Sequence, residues 1–231
     1  MKIEIKGEIG WDVTADSIEN LLNNTNEDLE IEIDSPGGSV FEGIKIHNLL
    51  VNYKGKKTII INALAASMAT YIAMAGDVIK VYDNATFMIH NAWGVAIGDY
   101  KEMQNTAEVL EGLTKLLAQK YAQKTGKSID EIRALMDKES FFFGEEIVVN
   151  GFADELIKTD KQEDKQAMFA LAKERFKAAV NKLKEKEETK KIAALLKNVY
   201  KNKQNKGGAN LSDKMQLELA KARLKLKIKE I

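Results

Sequence analysis

Apolar and polar positions alternate with two periods along the first two thirds of the chain. Short β-branched or alternating runs at residues 2–5, 29–33, 58–61, 78–81 and 86–89 read as strands. The run at 58–61 is apolar throughout and reads as a buried central strand. Between these runs the spacing becomes helical. Residues 15–23 form one helical segment, and Val40, Ile44, His47 and Val51 recur on one face of a helix over 39–53. Residues 64–75 are small and apolar, as in a tightly packed helix. A long helix spans 99–124, with Met103, Leu110, Leu113, Leu117 and Tyr121 on one side, and Gly126 is suited to end it. Ser128 to Glu131 has the spacing of a capping box and opens a short helix toward Met136. Residues 144–150 read as helical, and 154–157 can close the body. Strands alternating with helices predict an α/β domain over residues 1–157.

From about Lys158 the pattern changes. Lys, Glu, Ala and Gln dominate, and Gly207-Gly208 is the clear break. Phe169, Phe176, Val180 and Leu183 fall at helical spacing, which predicts a solvated helix over 164–200. The last segment, from Leu211, fits a helical stripe and an alternating strand equally well. Charge divides at the same place. Residues 1–157 carry 14 Lys+Arg against 25 Asp+Glu, a net of −11, and residues 158–231 carry 21 against 10, a net of +11. An acidic body with a basic, mostly helical C-terminal extension predicts an electrostatic contact, either with the body itself or with an acidic partner. Nucleic acid is a weaker option, because the extension offers only Phe169, Phe176 and Tyr200 for stacking.

Composition narrows the chemistry. The 231 residues include no cysteine, which excludes disulfides, Cys-ligated metals and a thiol nucleophile. The two histidines, His47 and His90, are too few for a multi-histidine metal site, and no cofactor is expected. No apolar run reaches the roughly 18–20 residues that span a bilayer. The first ten residues lack an apolar signal-peptide core. A cytoplasmic, soluble protein with no membrane partner is the expectation.

Three short features carry candidate chemistry. Asp34-Ser35-Pro36-Gly37-Gly38 holds the one proline of the chain and follows a strand. Read as a turn, it exposes backbone amides that could hold an oxyanion, although an ordinary strand-to-helix turn has the same composition. Ser67 lies among small residues, Ala63 to Thr70, after the central strand. It suits a nucleophile at a helix start or a plain N-cap. Its neighbours Ala65 and Ala69 exclude the G-x-S-x-G elbow. Met88-Ile89-His90-Asn91 closes an apolar strand and supplies a base for such a serine. His47, on an apolar helical stripe, reads as a packed histidine.

The ordered set SPGG, AASMA, MIHN and ESFFFGEE…NGFADE resembles the Clp-type serine peptidases of the ClpP/crotonase fold, over roughly residues 1–157. The spacing of 29 residues between Gly38 and Ser67 also fits that family. The opening KGEIGWDVTADSI, the phrase IHNAWG and the stretch KTGKSIDEIRALMDKESFF resemble its phage-encoded branch, whose members are head-maturation (prohead) proteases. The resemblance implies a ClpP/crotonase-like spiral of β-β-α units with a projecting helix, the 99–124 segment. It makes Ser67 the nucleophile, His90 the general base, and the amides of Gly38 and Met68 the oxyanion hole. Glu139 falls where the family usually has aspartate, and Asp137, two residues earlier, is the alternative. A homo-oligomeric ring and a capsid or scaffold precursor as substrate are expected. A housekeeping peptidase fed by an unfoldase ATPase is the alternative, followed by acyl-CoA chemistry and a non-catalytic assembly factor on the same fold.

Overall fold

The computed structural model describes residues 1–159, 170–171, 173–178, 181–182 and 184–185. It divides into two compact units, Met1–Phe176 and Lys177–Ile231. In the second unit the described residues are helical. The ambiguous segment from Leu211 and most of the expected 164–200 helix lie outside the described residues.

The first unit is a parallel sheet flanked by helices. Its elements are β1 (Lys2–Ile9), α1 (Ala15–Leu22), β2 (Leu29–Gly38), α2 (Val40–Asn52), β3 (Lys57–Ala66), α3 (Met68–Ala73), β4 (Val78–Tyr82) and β5 (Thr86–Ile89). They continue with α4 (Tyr100–Thr125), α5 (Ile129–Asp137), β6 (Ser140–Phe143), α6 (Glu145–Val149) and β7 (Glu155–Ile157). Strands β1-β2-β3-β4-β7 form a parallel row, while β5 joins β3 in parallel and β6 joins β5 antiparallel. Along β2, β3 and β4, Ile31, Ile33, Ile59, Ile61, Ile79 and Val81 are fully buried on one face. Each such side chain contributes roughly 1.5–3 kcal/mol by leaving water. Ile60 and Asn62 on the other face are only half-buried, so β3 is central in the sheet but not covered on both sides.

Three expectations are corrected by this packing. The Ser35–Gly38 segment is not a turn: β2 runs through it, pairing Gly37 with Glu8 and Gly38 with Ile9 after a register shift. The positive φ of both glycines lets the strand deform without ending. The expected 64–75 helix begins later, because Leu64–Ala66 extend β3 to pair with β5. In α2 the buried face is Gly43, Ile46, His47 and Leu50, with Val51 exposed, so the true stripe sits one step round from the expected one.

The long helix α4 has two halves. Thr114, Leu117, Ala118 and Tyr121 are buried against the body, and Gly126 caps the end in the left-handed conformation, as expected. In the N-terminal half Tyr100, Met103 and Val109 are exposed, so this end projects. Among the described residues no helix is long and apolar enough to cross a membrane.

His47, the packed histidine of α2, is 3% exposed and lies against Tyr71 of α3, ring centroids 4.7 Å apart. Burial pushes its pKa down from 6.5 to about 4. Above pH 6.5 folded and unfolded chains are both neutral at this site. Between 6.5 and 4 only the unfolded chain takes the proton, so stability present near neutrality is lost on acidification, about 3 kcal/mol when complete. A His47→Leu variant should therefore lose less thermal stability than the wild type between pH 6.5 and 4. Parallel declines in Tm, followed by calorimetry, would contradict this.

Candidate active site

Strand register brings the expected site together. β3 pairs with β4 through Thr58–Ile61 and then with β5 through Leu64–Ala66, with Ala66 opposite Met88. The residues that follow these two strand ends are therefore neighbours: the Ser67 amide donates to Met88 O at 2.9 Å. Ser67 Oγ lies 2.7 Å from His90 Nε2, within hydrogen-bond reach.

The serine sits at the N-cap of α3 with φ 55° and ψ −125°, and its side chain makes no capping bond. A residue other than glycine in this region costs roughly 1–3 kcal/mol, held by the surrounding packing. The strain turns Oγ away from its helix and toward the imidazole. The plain N-cap reading of Ser67 is thereby set aside.

β2 passes beside this corner. A Cβ on Gly37 would lie 2.7 Å from Ser67 Cβ and 2.9 Å from Met68 N, so glycine is required there. The Gly37 amide donates to Ser35 Oγ at 3.1 Å, and Ser35 Oγ donates to Gly7 O at 2.6 Å, which fixes the segment from within. Two positions on from Gly37, the Ser39 amide donates to Ile9 O. Met68 opens α3, so its amide has no intrahelical acceptor. Sequence reading missed Gly37 and Ser35 as the residues that allow the close approach; the Pro-Gly-Gly run was the available signal.

β6, which the sequence did not reveal, positions the third group. Its antiparallel register sets Ser140 opposite Ile89, and so brings Glu139 beside His90. Glu139 Oε1 is 3.9 Å from His90 Nδ1, an ion-pair distance rather than a hydrogen bond, and its side chain is 65% exposed. Glu139 also takes a positive φ of 49°. Asp137 is directed elsewhere: its Oδ1 accepts from Asn91 Nδ2 at 2.8 Å. His47, in α2, is not part of the cluster and bonds weakly to Asn48, at 3.4 Å.

His90 is 8% exposed, and burial lowers its pKa from 6.5 to about 4. The imidazole is thus neutral at pH 7 and able to accept a proton. A second unexpected neighbour is Phe176, whose ring stands perpendicular to the imidazole at 5.6 Å and to Phe141 at 6.0 Å. The expected helix around it is present at 170–171 and 173–176, but Phe176 is buried rather than solvated. Among the described residues no group of three or more His, Asp or Glu is placed to hold a metal ion.

Comparison with known proteins agrees with this architecture. The Clp protease family profile matches residues 1–160. The ATP-dependent Clp protease proteolytic subunit of Ligilactobacillus salivarius is 31% identical over 166 residues, covering 69% of this chain and 84% of that protein. The protein of the same name from Pleurastrum terricola is 32% identical over 126 residues, 54% of this chain and 64% of its own length. Among solved structures, a point mutant of ClpP1 from Listeria monocytogenes superposes with a TM-score of 0.62 at 23% identity, covering 69% of this chain and 92% of that one. A parallel sheet whose two strand ends join a strained serine to a buried histidine, matched over residues 1–160, places the chain in the Clp protease family.

Proposed function

We propose that this chain is a serine endopeptidase in which Ser67 is the nucleophile and His90 the general base. The 2.7 Å contact between Ser67 Oγ and His90 Nε2 carries the reading. As Oγ attacks a peptide carbonyl, Nε2 takes its proton and later delivers it to the leaving amine. For Nε2 to accept, the imidazole proton must sit on Nδ1, the nitrogen that faces Glu139. Glu139 holds that tautomer and stabilises the imidazolium once its exposed side chain closes the present 3.9 Å gap. The amides of Gly38 and Met68 receive the developing oxyanion, consistent with the Gly37 amide being engaged by Ser35. The peptidase domain is residues 1–157, and 158–231 form a basic extension.

The named relatives are proteolytic subunits of ATP-dependent proteases, which favours a chamber peptidase fed by an unfoldase, the reading that the sequence ranked second. Such a chamber needs a ring of copies, and the exposed Tyr100, Met103, Val109 and Leu116 of α4 offer apolar surface for one. Head maturation is the second reading. It is favoured by the 158–231 extension with its +11 charge, most of which lies beyond the family match. Incubation with a folded protein substrate, a Clp ATPase and ATP separates the two. The first reading expects ATP-dependent degradation to short peptides. ATP-independent cleavage of a capsid precursor at discrete sites would favour the second.

Ser67→Ala and His90→Ala should each abolish hydrolysis of a fluorogenic peptide, with losses on the order of a million-fold, as for triad residues that act as a unit. Glu139→Gln should cost more than Asp137→Asn, because an amide cannot stabilise the imidazolium. Near-wild-type turnover by Ser67→Ala, or a larger loss from Asp137→Asn, would reassign the roles.

The acid limb of kcat/KM should follow His90. Its depressed pKa keeps the base neutral below pH 6.5, so activity should persist through pH 6 and fall only as pH nears about 4. A limb centred at 6.5 or above, measured over pH 3.5–8, would contradict this.

A further inference from the structure

Phe176 lies outside the matched family region, in a segment dominated by lysine and other polar residues, yet it is 7% exposed. Its ring fills the space beside His90 and Phe141, perpendicular to both. A second contact comes from the preceding residue: Arg175 Nη2 is 3.8 Å from Asp34 Oδ2, on the strand that runs past Ser67. Leu171, on the same segment, is exposed, so among the described residues of this segment burial is confined to the end that meets the site. A peptide bond reaching Ser67 must also bring its leaving nitrogen to His90, and Phe176 stands against that imidazole.

We propose that residues 170–171 and 173–176 belong to an intramolecular cap, docked by Phe176 between His90 and Phe141 and by Arg175 at Asp34, that holds the site latent until it is displaced. The proposal rests on the reading of Ser67 and His90 as the catalytic pair. A tethered occupant needs little intrinsic affinity. A short tether gives an effective concentration of roughly millimolar, so a contact of about 0.1 mM keeps about nine sites in ten closed. A free substrate competes against that occupancy, and its apparent affinity falls by the same fraction. The cap also withholds water from His90. Among the described residues, Ser67, Glu139 and Phe176 contact the imidazole, with Asp137 tied to Asn91.

The test compares the full-length wild type with Phe176→Ala, Phe176→Leu and Arg175→Glu on a short fluorogenic peptide. Phe176→Ala should raise kcat/KM about tenfold, and Arg175→Glu, a change at the surface, should raise it several-fold. Phe176→Leu, which refills the space, should stay near the wild type. In Phe176→Ala the acid limb should also move from near 4 toward 6.5 as water reaches His90, whereas Phe176→Leu should keep it near 4. If Phe176→Ala and Arg175→Glu fold but gain no activity, the cap is overturned while the peptidase reading stands. If the wild type and every variant are inert, the peptidase reading fails and the cap with it.

Discussion

Strand β3 changes partners part-way along its length, and the candidate site depends on that exchange. Its first half pairs with β4 and its last three residues pair with β5. Because β3 and β5 are parallel and end within one residue of each other, the residues leaving them emerge side by side. One is a serine, followed by a helix; the other, at the next position after β5, is a histidine. The Ser67 amide bond to Met88 O locks the junction. β6 then adds a third residue by pairing antiparallel with β5, and β2 closes the remaining side. Four strand ends thus converge on one point, and each contributes through backbone pairing rather than through the flexible reach of a side chain.

Precision of this kind is offset by local strain. Ser67 and Glu139 are the two non-glycine residues with positive φ among the described residues, and they flank the same histidine. Gly37 is needed because any side chain there would collide with Ser67. The fully buried isoleucines of β2 and β3, together with Ile79 and Val81 of β4, supply the stability that tolerates these conformations. Burial of His90 itself keeps it neutral, so packing around the site and its reactivity share one cause.

Most of the fold is legible in the sequence, since period-two and period-3.6 patterns mark five of the seven strands and each named helix, while residues 154–157, which include β7, read only as closing the body. β6 is not, because Ser140–Phe143 is only four residues long and its Phe-rich run gives no alternation. The extent of β2 is hidden for a different reason: Pro-Gly-Gly chemistry suits a turn, and only pairing with β1 keeps it extended. Ser67 and His90 are readable as candidates from position and residue type. Glu139 is readable only through family resemblance, as its approach to His90 depends on the unseen β6 register. Phe176 is readable as part of a helical stripe but not as a neighbour of the site, because that contact joins residues 86 positions apart.

The central claim is that backbone register activates one particular serine. Mass spectrometry of the full chain after treatment with a serine-directed fluorophosphonate tests it most directly. The account predicts a single adduct, mapped by peptide sequencing to Ser67, and no adduct when His90 is replaced by alanine. Adducts on other serines, or labelling of Ser67 undiminished without His90, would contradict it.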